Sequence, residues 1–286
     1  LRLLKAGRPD IQLTILCPKE QKAYWQSLSE LVTHVCTTDE KQSAAQQLDA
    51  DAVYNDGPFD ILFMFNKNKK LVKRLKHLMP IMLCAFDDSG FKKIRARYTS
   101  AHTGAPRNRA ADYVDNVRRF HYLDKLEADL YSPVSGNAEA TGNFIAPFST
   151  LGKADSWAEY KWAELVKELG SATLLALPAD ETPAREMAER LGITCLICAP
   201  EAMPQHLGPN TTLYAVDGLI PQLAGAAGSK CTVIMASRLA ERYGICLGDG
   251  HRYVCNHTPC HPCMQQACDM RTACTDAITV AEVLNK

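Results

Sequence analysis

Apolar positions along the chain fall into short continuous runs separated by longer amphipathic stretches, the pattern of strands buried on both faces alternating with the helices that cover them. In the first half, residues 11–17 alternate into a strand closed by Pro18, and residues 19–32 carry Tyr24, Leu28 and Leu31 at helical spacing. Residues 61–65 and 81–86 read as strands flanking a helix over 69–78. Residues 1–6 read as the tail of a helix ending at Gly7, and residues 108–130 as a further helix with Tyr113, Val117, Phe120 and Leu123 as its stripe. Residues 132–142, rich in Ser, Pro, Gly and Asn, break the pattern and read as a linker.

The alternation then resumes. Strands are expected over 144–148, 172–177, 195–198, 212–216 and 232–235, and helices over 184–191 and 220–227. Trp162, Leu165, Val166 and Leu169 lie at i, i+3, i+4 and i+7, so a helix covers them, and Ser156 with Glu159 forms a capping box that starts it near Trp157. Thr279 and Glu282 form a second capping box for a closing helix.

A length of 286 residues suits two domains better than one core, and the twofold βα rhythm divides them at 1–136 and 137–286. The predicted class is α/β: two Rossmann-like halves, each with a parallel sheet, facing across a cleft. Formal net charge is zero, which argues against a nucleic-acid partner. No apolar run is long enough to span a bilayer and no signal peptide opens the chain, so a cytoplasmic address is expected. The chain begins without Met, so further native residues are expected before Leu1. Basic runs over 67–76 and 92–97 are either solvated helix faces or surfaces for an anionic acceptor or membrane headgroups.

Seven of the twelve cysteines are scattered in or near apolar runs and read as reduced, buried thiols, whereas five crowd between residues 255 and 274. Cys260, Cys263, Cys268 and Cys274 have spacing suited to a tetrahedral thiolate site for structural zinc or iron, with Cys255, His257 and His261 as substitutes. Disulfides or free thiols are the alternatives.

In a parallel α/β sheet, ligands sit at the carboxyl ends of the strands, where a hydroxyl-rich loop, a Lys and a helix N-terminus favour phosphate. Ser149, Thr150 and Lys153 follow the strand over 144–148 and are candidate phosphate ligands; the bland alternative is an ordinary βα loop with a solvated Lys. Glu181 is placed to accept hydrogen bonds from a ribose or to cap the helix that follows. Asp217, Gly218 and Gln222, at a strand end and the next helix start, are candidates for the sugar or diphosphate, or a simple turn.

The order of these loops resembles the ADP-heptose:lipopolysaccharide heptosyltransferase family of GT-B glycosyltransferases. Residues 1–17 resemble the family's first helix and second strand, and residues 59–65 its strand before a helix. Residues 144–165, FIAPFSTLGKADSWAEYKWAEL, are similar to its strand, Lys-x-Trp-Pro loop and helix. Residues 174–181 resemble its ribose-contacting loop. Residues 217–228, DGLIPQLAGAAG, resemble its Asp-Ser-Gly-x-x-His donor segment, and residues 257–284 its terminal Cys pattern and closing helix. The family's phosphate-binding Lys position holds Asp155 here, with Lys153 two residues earlier, and its donor-segment Gly and His are Leu219 and Gln222. Its Gly-Asp-x-x-x-x-Thr-Pro loop, with the carboxylate proposed as base, would lie before Leu1, and so no base is assigned. The resemblance implies inverting transfer of a heptose from an ADP-heptose-class donor to a lipopolysaccharide-core, other glycan or protein acceptor. It implies no organic cofactor and a cytoplasmic site reaching the inner membrane peripherally. A non-catalytic relative that binds a nucleotide sugar or scaffolds an assembly is the alternative.

Overall fold

The computed structural model describes residues 5, 9–38, 61–64, 82–86, 98–100, 135–150, 156–245, 247, 250–256, 258–263 and 273–285. The chain divides into two compact units, Leu1–Leu130 and Tyr131–Lys286. The helices expected over 69–78 and 108–130, both basic runs and most of the helix tail before Gly7 lie outside the described residues.

In the first unit β1 (Thr14–Pro18) pairs in parallel with β2 (His34–Thr38), the connection running through a 3₁₀ turn and α1 (Lys22–Ser27). The helix expected over 19–32 is therefore cut short. The Leu28 carbonyl accepts from both Leu31 and Val32, and Thr33 N–H then donates to Leu13 O at 2.8 Å, which draws the chain into the β1 ladder. β2 escapes the apolar pattern because Cys36 is its buried residue among His and Thr. A second parallel sheet runs β3 (Ile61–Met64), β4 (Met82–Phe86), β5 (Tyr98–Ser100) in that order.

The second unit is built on six parallel strands: β6 (Gly142–Ala146), β7 (Thr173–Ala176), β8 (Thr194–Ile197), β9 (Thr211–Val216), β10 (Lys230–Ile234) and β11 (Arg252–Val254). Across the sheet they stand β8-β7-β6-β9-β10-β11, the doubly wound order in which the winding reverses between the first and fourth strands. Consecutive residues bury on opposite faces. Leu174 and Ala176 join the core under α2 (Glu159–Leu169), α3 (Glu181–Leu191) and α7 (Val280–Leu284), and Leu175 lies on the other face. α4 (Leu219–Ala226) packs on β9 and β10, and its buried Ile220, Leu223 and Ala224 lie outside that core. Helices on both faces explain why the strands read as unbroken apolar runs.

The expected linker is partly built into this unit. Asn137 N–H reaches the carbonyls of Pro204 and Leu207, both at 2.9 Å, and a Cβ at Gly136 would lie 2.1 Å from Ala227 O, so that position must be Gly.

α2 starts at Glu159, two residues later than its sequence suggests, and no side chain caps it. Trp157 is the reason. Its ring is buried edge-on against Trp162, with centroids 4.9 Å apart, and its Nε1 donates to Ile278 O at 3.1 Å, which holds the backbone at Ala158 extended. Glu159 instead forms a two-pronged pair with Arg190 of α3, at 2.7 and 3.1 Å. The second capping box forms as expected: Glu282 N–H donates to Thr279 Oγ1 and Thr279 N–H to Glu282 Oε2.

Two cations tie the C-terminal segment, α6 (Ala273–Asp276) and α7, to the sheet. Lys161 is only 6% exposed, and its Nζ donates to the carbonyls of Thr275, Asp276 and Ile278. Arg252 of β11 donates to the carbonyls of Glu282 and Val283 at the end of α7, where the helix leaves acceptors unsatisfied and carries partial negative charge. Lys161→Met keeps the stem and removes the donors, which strands buried carbonyls. A loss of about 2–4 kcal/mol in chemical denaturation is expected, and no measurable loss would refute the anchoring role.

The Arg190 hydrogen bond holds the Glu159 carboxyl below the usual carboxylate range. A carboxyl lowered in the folded state stabilises above its unfolded value, and that contribution disappears as pH falls through the folded one. Glu159→Gln is therefore expected to melt below wild type at neutral pH and to converge with it only as pH falls below the ordinary carboxylate range, as read by thermal melts across pH.

Candidate functional site

All six strands of the second sheet run the same way, so the segments leaving β6, β7, β9 and β10 emerge at one edge. β6 and β9 are the neighbours at which the winding reverses, and their crossover helices α2 and α4 depart to opposite faces. Such a divergence marks the strand ends at which doubly wound sheets take their ligands.

The structure brings Ser149, Thr150, Asp217 and Gly218 together at this point. Ser149 Oγ donates to Asp217 O at 2.8 Å, and Leu219 N–H donates to Thr150 Oγ1 at 3.1 Å. A Cβ at Gly218 would lie 3.1 Å from Thr150 Oγ1 and 3.3 Å from Thr150 N, so a side chain there would force the two loops apart. Asp217 N–H extends the sheet by donating to Ile234 O at 3.1 Å, and the residue is buried. Thr150 is exposed and its hydroxyl, having accepted from Leu219, keeps its own hydrogen to donate.

Other candidates are placed differently. Glu181 is the first residue of α3, at the exit of neighbouring β7, and its half-exposed carboxylate pairs with Arg185 at 2.9 Å. No described contact joins it to Thr150 or Asp217. Gln222 lies one turn into α4, where its Nε2 donates to Tyr243 O at 3.1 Å and ties α4 to α5 (Ala240–Tyr243). Lys153 lies outside the described residues.

Arg238, on the segment leaving β10, was not singled out by the sequence reasoning. Its guanidinium lies over the Tyr243 ring, 5.1 Å from the centroid. The available signal was a lone cation just after a buried strand, at the same edge as the other loops.

The cysteine-rich segment starts beside this edge. Met235 N–H donates to Val254 O at 3.0 Å, and the His261 ring is hydrogen-bonded through Nδ1 to Ala236 O at 2.9 Å. Burial raises the Cys255 thiol pKa, with Glu241 and Asp217 adding to the effect. Cys260 is exposed, Cys263 half-buried and Cys274 buried, while Cys268 and His257 lie outside the described residues. Among the described residues no group of three or more His, Cys, Asp or Glu is gathered to hold a metal.

Parallel sheets within an α/β chain of two units fit a GT-B-like fold, and comparison with solved structures bears this out. The chain is similar to E. coli ADP-heptose lipopolysaccharide heptosyltransferase II, with TM-score 0.72 and 13% identity over 99% of this chain and 90% of that one. It is also similar to a family 9 glycosyltransferase from Veillonella parvula, with TM-score 0.68 and 10% identity over 99% and 89% of the two chains. For E. coli heptosyltransferase WaaC solved with ADP, the values are 0.64 and 13% over 87% and 85%. No protein-family model and no curated protein sequence matches the chain.

Thiol reactivity provides a check on the geometry. Burial pushes the Cys231 thiol up to about 12. Iodoacetamide at pH 8 is expected to modify Cys260 first, Cys255 more slowly and Cys231 only after unfolding, as followed by peptide mass spectrometry. Early modification of Cys231 would contradict its placement.

Proposed function

We propose that this protein is a glycosyltransferase that moves a heptose from a nucleotide-activated donor of the ADP-heptose class onto a hydroxyl of a lipopolysaccharide-core, other glycan or protein acceptor, inverting the anomeric centre. The observation that carries this reading is the hydrogen-bonded meeting of Ser149 and Thr150 with Asp217, Gly218 and Leu219 at the winding reversal of the sheet. Support comes from the fold shared with heptosyltransferases, one of them solved with ADP and another time with ADP-2-deoxy-2-fluoro heptose.

The chemistry asks for stabilisation of the departing diphosphate, a grip on the nucleoside and a base for the acceptor hydroxyl. Thr150 and Lys153 serve the first by donating to phosphate oxygens. Glu181 serves the second by accepting from the ribose, for which it must exchange its exposed pair with Arg185, a contact of the weak surface kind. Asp217 and Gly218 line the donor sugar or diphosphate, and Gln222 holds the helix beneath them. No residue is assigned as the base. No organic cofactor is needed. The site is cytoplasmic, with peripheral contact at the inner membrane to reach a lipid-linked acceptor. A structural zinc or iron on Cys260, Cys263, Cys268 and Cys274 would require Cys260, Cys263 and Cys274, which are not gathered as a metal site here, to converge; stoichiometric metal in the purified protein, lost together with melting temperature on chelation, supports that and its absence removes it.

Calorimetric titration with ADP, UDP and GDP tests the donor class. ADP is expected to bind in preference to the other two, and Thr150→Val to weaken it about 5- to 10-fold by removing one hydroxyl contact. Equal or absent binding of all three would overturn the assignment, and ADP-heptose binding without hydrolysis or transfer would point to the non-catalytic alternative.

A further inference from the structure

We propose that Arg238 grips the donor's diphosphate, a role that rests on the nucleotide-sugar reading above and deepens it. β10 ends at Ile234, paired with Val216 at the end of β9, so residues 235–239 leave the sheet beside Asp217 and Gly218. Arg238 is half-buried there. Its one described interaction is a cation–π contact with Tyr243, and among the described residues no carboxylate and no carbonyl takes its N–H groups. Such a contact uses the positive charge and spends none of the guanidinium's N–H donors on an acceptor oxygen.

The contact is itself tied to the site. Tyr243 O accepts from Gln222 of α4, and the same helix begins at Leu219, whose N–H is held by Thr150. Arg238 is thus linked to the Thr150 loop through Tyr243, Gln222 and α4.

The helix start at this edge offers an anion few free donors. A helix N-terminus ordinarily meets phosphate with its free N–H groups. In α4 the Leu219 N–H is already taken by Thr150 and Pro221 has none, which leaves Ile220 as the donor of the first three residues. One remaining N–H group is a weak partner for a diphosphate, and the Arg238 guanidinium adds positive charge with a fork that suits two phosphate oxygens at once.

The test is calorimetry of ADP and of adenosine with the full chain as wild type, Arg238→Gln and Arg238→Lys, alongside thermal melts. Arg238→Gln is expected to weaken ADP about 10- to 100-fold with adenosine unchanged, and Arg238→Lys, which keeps the charge without the fork, to fall between. ADP binding by Arg238→Gln within about twofold of wild type overturns the role of Arg238 and leaves the site reading standing. Equal loss of ADP and adenosine in Arg238→Gln also overturns it, since that marks a structural effect. Failure of wild type to bind any nucleoside diphosphate overturns the reading of the site and this assignment with it.

Discussion

The parallel pairing of β6 with β9, from Gly142 opposite Thr211 to Ala146 opposite Ala215, is the constraint on which the second unit depends. Strands adjacent in sequence lie to one side of β6, and the later strands build outward from β9. Right-handed crossovers on the two sides of this seam must send their helices to opposite faces. The loops after β6 and β9 therefore meet with no helix between them. Gly218 permits that meeting at van der Waals distance, and Ser149 and Thr150 fasten it with hydrogen bonds to the opposite backbone. The candidate site is a consequence of strand order before it is a consequence of any one side chain.

The C-terminal segment shows how a small element with little core of its own is held. Ile278, Val280 and Val283 enter the main core, but α6 and α7 are only four and five residues long and would not persist alone. Lys161 and Arg252 satisfy carbonyls that so short a pair of helices cannot satisfy internally, and the Thr279–Glu282 capping box closes the other end. A buried ammonium is costly unless its hydrogen bonds are met, so Lys161 and its acceptors fix each other's position. The segment thus closes over α2 and β11 as a specified structure.

Several elements were legible in the residues because local pattern and tertiary context agree. A run such as LLA in β7 has no polar face, which marks a sheet covered on both sides. The Thr279 capping box formed because nothing competes for either partner. Ser156 and Glu159 had the same local signature and failed, because Trp157 is drawn into the core and Arg190 claims Glu159. β2 and β11, short and partly polar, are recruited by their neighbours' ladders and carry little signal of their own.

What the residues determined by themselves was the βα rhythm, its division into two halves and the placement of Thr150, Asp217 and Gly218 at strand ends, since periodicity and turn chemistry are local properties. Only the tertiary structure decided which strand ends are neighbours, that Gln222 donates to Tyr243, and that Lys161 on a charged helix is buried beneath a tail more than a hundred residues away. It likewise decided that Arg238 lies over the Tyr243 ring. Those facts depend on strand order and on contacts between residues far apart in the chain, and neither leaves a periodic trace in the sequence.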